Sequence, residues 1–492
     1  MKGKIALALC ILIFVGLFSA LPLTFAFTPP TGWNSWDEVT LTDVGWANHV
    51  DEPADVLFTP AFGTCSSVDE VRVIAPDGVT EIPSQVYDVV TTSGYITSCR
   101  VVFLANVPAL GSATYYIIYN NPSATPPVYD GLRLYTVAPG DTYNVTALVD
   151  SVEKNYTHIW WKSSAELYSD GELVCWSGGL PGGLSNQINW ASFWEGLRWN
   201  GTGNEVGVVW GWNKTLSVLN SGPLFVDFNY TEAGGTPQFL ADPWLFDYNV
   251  TATSIIRIYY QPNLNPLVRF HKTFTIKTNL ANYTIGGGAY LDFRLADSTS
   301  LHPIYKFFTW KNTTGHVNTI EVDRMRAHSA DIWTPASPVG WWKFSGPHTE
   351  SADLPEANIG YVPTYTNTTI SGVNYELRGD ESVFQDDNKC GQWFEGSFNG
   401  VYGDTFEIEA YIVVSKEDGD VDFNGIVNIL DILVQAVAFG TEPGDQKWDA
   451  RADVDGNGII NILDILKVAV NFGNEYMTME DRVSQLRNPI NS

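Results

Sequence analysis

The chain is short of positive charge. Its 492 residues carry 27 Lys and Arg against 55 Asp and Glu, a formal net charge of -28. A field of that sign repels phosphate backbones and acidic lipid surfaces, which excludes nucleic acid and anionic membranes as principal ligands. Cysteine is scarce, with five residues, and its spacing suits no zinc site. Long helical patterns are missing through most of the chain. After the N-terminus no run approaches the roughly 20 apolar residues that cross a bilayer. Gly-x-Ser-x-Gly, His-Glu-x-x-His, a phosphate loop and a dinucleotide fingerprint are all absent, so the chemistries they carry lack support.

What is abundant points to strands, turns and export. Eighteen Trp, 23 Tyr, 25 Phe and 43 Gly suit pleated, half-buried surfaces joined by turns. Residues 1–26 read as a signal peptide. Lys2 and Lys4 precede an uncharged apolar stretch over 5–18, and Thr24-Phe25-Ala26 supplies a cleavage site. An uncleaved anchor is the other reading of the same residues. Cys10 falls in that segment. The remaining Cys65, Cys99, Cys175 and Cys390 permit two disulfides in a secreted, extracellular or surface-attached protein. Cys65 with Cys99 would close a local loop, and Cys175 with Cys390 would tie distant strands; four free buried thiols is the alternative. Nine Asn-x-Ser/Thr sequons lie between Asn144 and Asn367 and would be surface sites if glycosylated.

The chain divides into a small β-sandwich over 27–128, a large antiparallel β-sandwich over 129–415, a small all-α module over 416–473 and a polar tail over 474–492. In the first, Val71-Arg72-Val73-Ile74, 98–105 and 113–119 read as strands, with a turn at Pro76-Asp77-Gly78. In the second, strand candidates recur at 205–210, 224–229, 254–260, 268–276, 289–295 and 405–414. The run Val102-Phe103 … Val107-Pro108-Ala109-Leu110-Gly111 … Thr114-Tyr115-Tyr116 is similar to the closing strands of β-sandwich modules in secreted glycan-active proteins. By size and composition, the large region resembles galactose-mutarotase-like domains of polysaccharide enzymes.

The C-terminal module carries the most specific signal. Residues 420–431 read Asp-Val-Asp-Phe-Asn-Gly-Ile-Val-Asn-Ile-Leu-Asp, and 453–464 read Asp-Val-Asp-Gly-Asn-Gly-Ile-Ile-Asn-Ile-Leu-Asp, 33 positions later. Oxygen-bearing side chains at positions one, three, five and twelve, with Gly at six, fit a hard cation that takes six to eight oxygens. The expected ligands are Asp420, Asp422, Asn424, the Ile426 carbonyl and Asp431 in the first loop. In the second they are Asp453, Asp455, Asn457, the Ile459 carbonyl and Asp464. Asn428, at position nine, is placed to act through water. Val427 and Ile460, at position eight, are expected to pack inward. A short apolar helix ending in Phe-Gly follows each loop, and Asn-Ile-Leu-Asp-Ile-Leu is identical at 428–433 and 461–466. Near-duplication of this kind fits two helices related by an internal two-fold.

This pattern resembles a type I dockerin over about residues 416–473, with Asp at position twelve as that family has it. The resemblance implies two calcium ions and docking on a cohesin-like protein or cell-surface scaffold. It also implies a polysaccharide-acting partner domain, because the module is most often fused to such enzymes. One departure stands out. Positions ten and eleven, which carry small hydroxyl residues in familiar members, hold Ile429, Leu430, Ile462 and Leu463. Either the docking face is more hydrophobic or it is buried against the protein itself.

Chemistry in the β-rich region is less legible. Eight Trp cluster between 160 and 212, with Trp341, Trp342 and Trp393 further on. Indole faces stack on sugar rings, which makes Trp194, Trp199, Trp341, Trp342 and Trp393 candidate polysaccharide contacts; core filling is the competing reading. Glu195 and Glu395, each in a Trp-Phe or Phe-Trp setting followed by Gly, are candidate general acids if packed among aromatics, and ordinary strand-edge carboxylates otherwise. Arg269 and His271 are spaced to share a strand face, as a lyase holding a uronate would need. Hydrolase or lyase is thus one expectation, and a non-catalytic carbohydrate-binding or surface protein is the other.

Overall fold

The computed structural model describes residues 27–44, 48–140, 142–161, 171–175, 189–193, 198–200, 205–207, 213–233, 250–276, 280–285, 292–295, 305–311, 315–321, 340–347, 358–367, 369–370, 373–374, 377–384, 387–394, 396–400, 402–415, 419–422, 425–454 and 458–487. The expected signal peptide lies outside them. Within them the protein is mainly β, in several antiparallel sheets, with three short helices near the C-terminus.

The N-terminal part is a small sandwich. One sheet runs in the order Ser35–Thr42, Ser112–Tyr119, Arg72–Ile74, Glu81–Ile82, and the other sets Tyr95–Val107 between His49–Phe58 and Ser84–Thr92. Period-two alternation aims Val101, Phe103, Ala105, Tyr115 and Ile117 inward. Phe103 meets Tyr115 at 4.9 Å and Phe58 meets Tyr119 at 5.2 Å, closing the two sheets on each other. The turn at 76–78 forms as expected: Gly78, at a φ of 73°, donates its N–H to the Ala75 carbonyl.

A nine-stranded sheet organises the rest. Its order is Asn213–Ser221, Phe225–Ala233, Val250–Tyr259, Leu267–Ile276, Thr405–Ser415, Asn358–Asn367, Trp341–Pro347, Tyr305–Lys311, Val317–Glu321. A five-stranded sheet, from Gly131–Ala138 to Asn189–Phe193, packs against it. Tyr143 sits 5.3 Å from Phe228, and the Tyr156 hydroxyl donates to the Tyr259 carbonyl at 2.6 Å while accepting from the Gln261 N–H.

The small sandwich is joined to the large sheet by buried polar anchors. The Gln85 side chain accepts from the N–H groups of Leu224 and Phe225 and donates to the Phe225 carbonyl. Arg257 forms a forked pair with Asp227 at 2.7 and 2.8 Å, reaches Asp55 of the small sandwich at 3.2 Å, and lies over the Phe225 ring at 4.0 Å. One apolar cluster therefore runs without a break from Val39 through Phe225 and Trp342 to Leu486.

Three helices follow: α1 (Ile429–Ala438), α2 (Ile462–Val470) and α3 (Met479–Arg487). The segment read in the sequence as a polar tail carries α3, and α3 is packed. Met479, Val483 and Leu486 are buried in the β-body's own core, and Arg482 pairs with Glu52 at 3.4 Å with both side chains buried. Arg487 donates to the carbonyls of Pro363 and Gly340.

One sequence expectation changes in the small sandwich. Cys65 and Cys99 are free, buried thiols and not a disulfide. Burial pushes them up to about 11 and about 12, which keeps the reactive thiolate scarce. The strands holding Cys175 and Cys390 are described, but their side chains are not.

Arg269 and His271 share a strand face as their spacing predicts, and both engage Glu409 on the neighbouring strand, His271 at 3.2 Å. Burial would raise the Glu409 carboxyl, but hydrogen bonds from His271 and Arg269, the Arg269 charge and the Thr364 hydroxyl hold it at about 2. A folded-state value below the unfolded 4.5 stabilises the fold above pH 4.5 and loses that stability as pH falls toward 2. The full contribution is on the order of 3 kcal/mol, about 2 of which is lost by pH 3. Urea midpoints at pH 6 and pH 3 should therefore fall less steeply for Glu409→Gln than for the parent; equal slopes would remove Glu409 from the acid transition.

Candidate metal centre and docking face

The first loop gathers like charges. One carboxylate oxygen from each of Asp420, Asp422 and Asp431 lies within 4.8 Å of the others. Asp420 is 5% exposed and Asp431 is fully buried. Three carboxylates at that spacing repel strongly out of water unless a hard cation joins them, so the donor set fits calcium. Gly425, at a φ of 86°, makes the sharp turn at position six and donates its N–H to Asp420 at 2.8 Å.

Asp431 does more than close the loop. Its Oδ2 accepts from the Asn428 N–H at 2.7 Å, while Oδ1 accepts from Val421 at 2.6 Å and Asp422 at 3.1 Å. The first of these is half of a capping box that starts α1; the Asn428 side chain completes it by accepting from the Asp431 N–H, and it also accepts from the Leu430 N–H. Asn428 also donates to the Ile426 carbonyl at 2.9 Å. Its side chain thus serves the helix start and orients that carbonyl.

The second loop repeats this geometry. Gly458 has a φ of 80° and donates to Asp453 at 3.1 Å; Asn461 donates to Asp464 at 2.8 Å and to the Ile459 carbonyl at 2.9 Å. Asn424, Asp455 and Asn457 lie outside the described residues. Val427 and Ile460 are fully buried, as position eight predicts. They also knit the halves together reciprocally. Val427 exchanges backbone hydrogen bonds with Gly473 and Asn474, and Ile460 exchanges them with Gly440 and Thr441. Gly440 and Gly473 take left-handed φ values of 77° and 88°, ending the two helices as expected.

The pseudo-symmetry extends to the surface. Ile429 and Ile462 are each 57% exposed, Leu430 and Leu463 are 50% and 54%, and Leu433 and Leu466 are 51% and 52%. Phe439 and Phe472 continue the row at the helix ends. Of the two readings of the Ile-Leu pairs, the structure selects the exposed apolar face over burial against the protein.

The candidates in the β-body are placed differently. Trp342 is 1% exposed and stacks on Tyr361 at 4.1 Å, so it is a core residue and not a sugar platform. Trp341, on the opposite strand face, is buried under α3 and donates its indole N–H to Glu480 at 3.2 Å. That face is covered by the C-terminal helix, so Trp341 too is buried and not a sugar platform. Trp199 and Trp393 lie on described strands, but their side chains are outside the described set, as are Trp194, Glu195 and Glu395 altogether.

Residues 418–472 match the family model of the Dockerin type I domain. No curated protein matches the chain. The C-terminal module is a type I dockerin, a domain that binds calcium and implies a cohesin partner. Dockerin proteins are typically extracellular or at the cell surface, and no helix among the described residues is long and apolar enough to cross a membrane.

The position-six glycines generate a test. A Cβ at Gly458 would meet nothing within 4 Å, whereas one at Gly425 would sit 2.7 Å from Thr478 and 2.8 Å from the Tyr476 carbonyl. Both Ala variants incur left-handed strain of roughly 1–2 kcal/mol, but only Gly425→Ala must displace its cover. Calcium-saturated thermal unfolding should show Gly425→Ala losing at least twice the stability that Gly458→Ala loses; equal losses would contradict the packing.

Proposed function

Taking the C-terminal module as a type I dockerin, we propose that the chain is a secreted β-rich protein that docks, with calcium bound, onto a cohesin through the apolar rows of α1 and α2. Two ions are bound. Asp420, Asp422, Asn424, the Ile426 carbonyl and Asp431 hold the first, and Asp453, Asp455, Asn457, the Ile459 carbonyl and Asp464 the second. The observation that carries this reading is the position of the exposed rows. Ile429, Leu430, Ile462 and Leu463 occupy the first turns of the same helices whose capping carboxylates, Asp431 and Asp464, belong to the calcium loops. Calcium then fixes the helix starts, and the helix starts present the apolar residues. The test is one titration series. Calorimetry should find two calcium sites, with Asp431→Ala and Asp464→Ala each removing one. Leu430→Asp with Leu463→Asp should leave calcium uptake intact yet weaken binding to a panel of type I cohesins by about 100-fold or more, the scale of interface hot spots. Unchanged cohesin binding by that double variant would reject the face.

The β-body is the cargo, and we assign it an action on polysaccharide as hydrolase or lyase, in keeping with the usual company of dockerins. A specific observation favours the non-catalytic reading: Trp341 and Trp342 are buried, and the Arg269–His271 pair is engaged by the chain's own Glu409. A glycan panel separates them. New reducing ends or unsaturated uronates would establish turnover, whereas retention on a glycan without either product would establish binding alone.

A further inference from the structure

The two calcium loops are alike in themselves but not in what covers them. Loop two is open at Gly458. Over loop one the chain continues past the repeat. Glu475 forms a β-bridge with Ile426, and the Tyr476 N–H donates to the Gly425 carbonyl at 2.6 Å. Thr478 then lies against Gly425 so closely that no Cβ would fit there. Thr478 is also the cap of α3. Its hydroxyl accepts from the Asp481 N–H at 3.1 Å and donates to the Asp481 carboxylate at 2.8 Å, while its carbonyl accepts from the Arg482 N–H. Three residues thus connect a calcium-loop glycine to the first turn of a helix that is part of the β-body's core.

The far side of α3 is fully engaged. Met479 packs against Gly360, where a Cβ would lie 2.7 Å from its sulfur. Arg482 meets Glu52 of the small sandwich, Gln485 donates to the Asn48 carbonyl, and Glu480 accepts from both Lys311 and Trp341. These contacts reach four separate strands of the body and the residue that precedes one of them. Between the body and loop one, a cavity of about 400 Å³ is walled by Asp420, Asp422 and Thr478 on one side and Thr319, Lys343 and Ser345 on the other.

We propose that residues 475–487 are a calcium-dependent latch that mounts the dockerin rigidly on the β-body, and that the ion in loop one, not the ion in loop two, controls it. This rests on the reading of 420–431 as a calcium loop. An ion there fixes the left-handed turn at Gly425 and the Ile426–Val427 backbone beside it, and these three residues pair with residues 474–476. That pairing places Thr478, and Thr478 places α3. Without the ion the three carboxylates repel, the loop opens, and α3 loses the strand that positions its cap. Coupling of this kind is reciprocal, so seating of α3 must tighten calcium in loop one by the factor with which calcium favours seating.

The full chain provides the test in two arms. Hydrogen exchange at the amides of α3 should be slow in calcium and fast in EDTA. With saturating calcium, Asp464→Asn should keep the protection and Asp431→Asn should lose it. Equal protection in calcium and EDTA, or equal effects of the two substitutions, would overturn the latch. Because Asp431→Asn could unfold the module, the second arm acts from the body side. Arg482→Ala should weaken one calcium site by roughly 5- to 150-fold, the usual span of such couplings, and leave the other unchanged. Two intact sites indifferent to Arg482→Ala, or both weakened alike, would overturn the latch alone. No calcium uptake by the unaltered chain would overturn the loop assignment and the latch with it.

Discussion

Much of the C-terminal architecture depends on one carboxylate held where carboxylates are costly. Asp431 is fully buried, close to Asp420 and Asp422, and accepts three backbone N–H bonds from both ends of its loop. Backbone donors orient it, and a bound cation would offset the repulsion among the three acids. The same side chain begins α1 through the capping box. Loop closure and helix start therefore share one carboxylate, and an ion held by that loop would act on both. Asp464 repeats the helix-capping part of this for α2.

The repeat is tied across its two-fold by Val427 and Ile460, each buried in the module and each paired with the chain that leaves the opposite helix. Symmetry ends one step later. After Gly440 the chain turns away toward loop two, whereas after Gly473 it runs over loop one and into the body. Two near-identical halves thus differ in what surrounds them. The sequence identity of 428–433 and 461–466 predicts equal helices and says nothing of that difference.

Features set by local chemistry were legible in advance. Gly at position six must turn left-handed and Phe-Gly ends a helix; both hold at both copies. The strands at 224–229, 268–276 and 405–414 were legible from β-branched and aromatic runs between turns, and each extends by only a few residues. Features set by distant packing were not. Residues 479–487 average out as polar because Arg482 and Gln485 are buried with partners some 430 positions away in sequence, at Glu52 and Asn48. The apolar spacing of Met479, Val483 and Leu486, at i, i+4 and i+7, was the available signal, with Thr478 and Asp481 as its cap. Trp341 and Trp342 were misleading for the same reason. Adjacent residues on a strand point to opposite faces, and an exposed sugar platform requires one face to be open. Here α3 closes the face that the core does not.

Covering that face has a consequence for docking. A dockerin on a flexible linker samples many orientations, and its cohesin would impose no geometry on the cargo. This module is instead continuous with the body through α3, whose apolar residues belong to the same cluster as Trp342 and Val101. The exposed rows of α1 and α2 are consequently held in one orientation relative to the nine-stranded sheet. A cohesin bound there would fix how the β-body is presented to its surroundings, and the small sandwich, joined to that sheet through Arg257 and Gln85, would be carried in the same frame. Orientation of the cargo would then follow from burial at the C-terminus more than from the exposed apolar rows, which are nearly the same on α1 and α2.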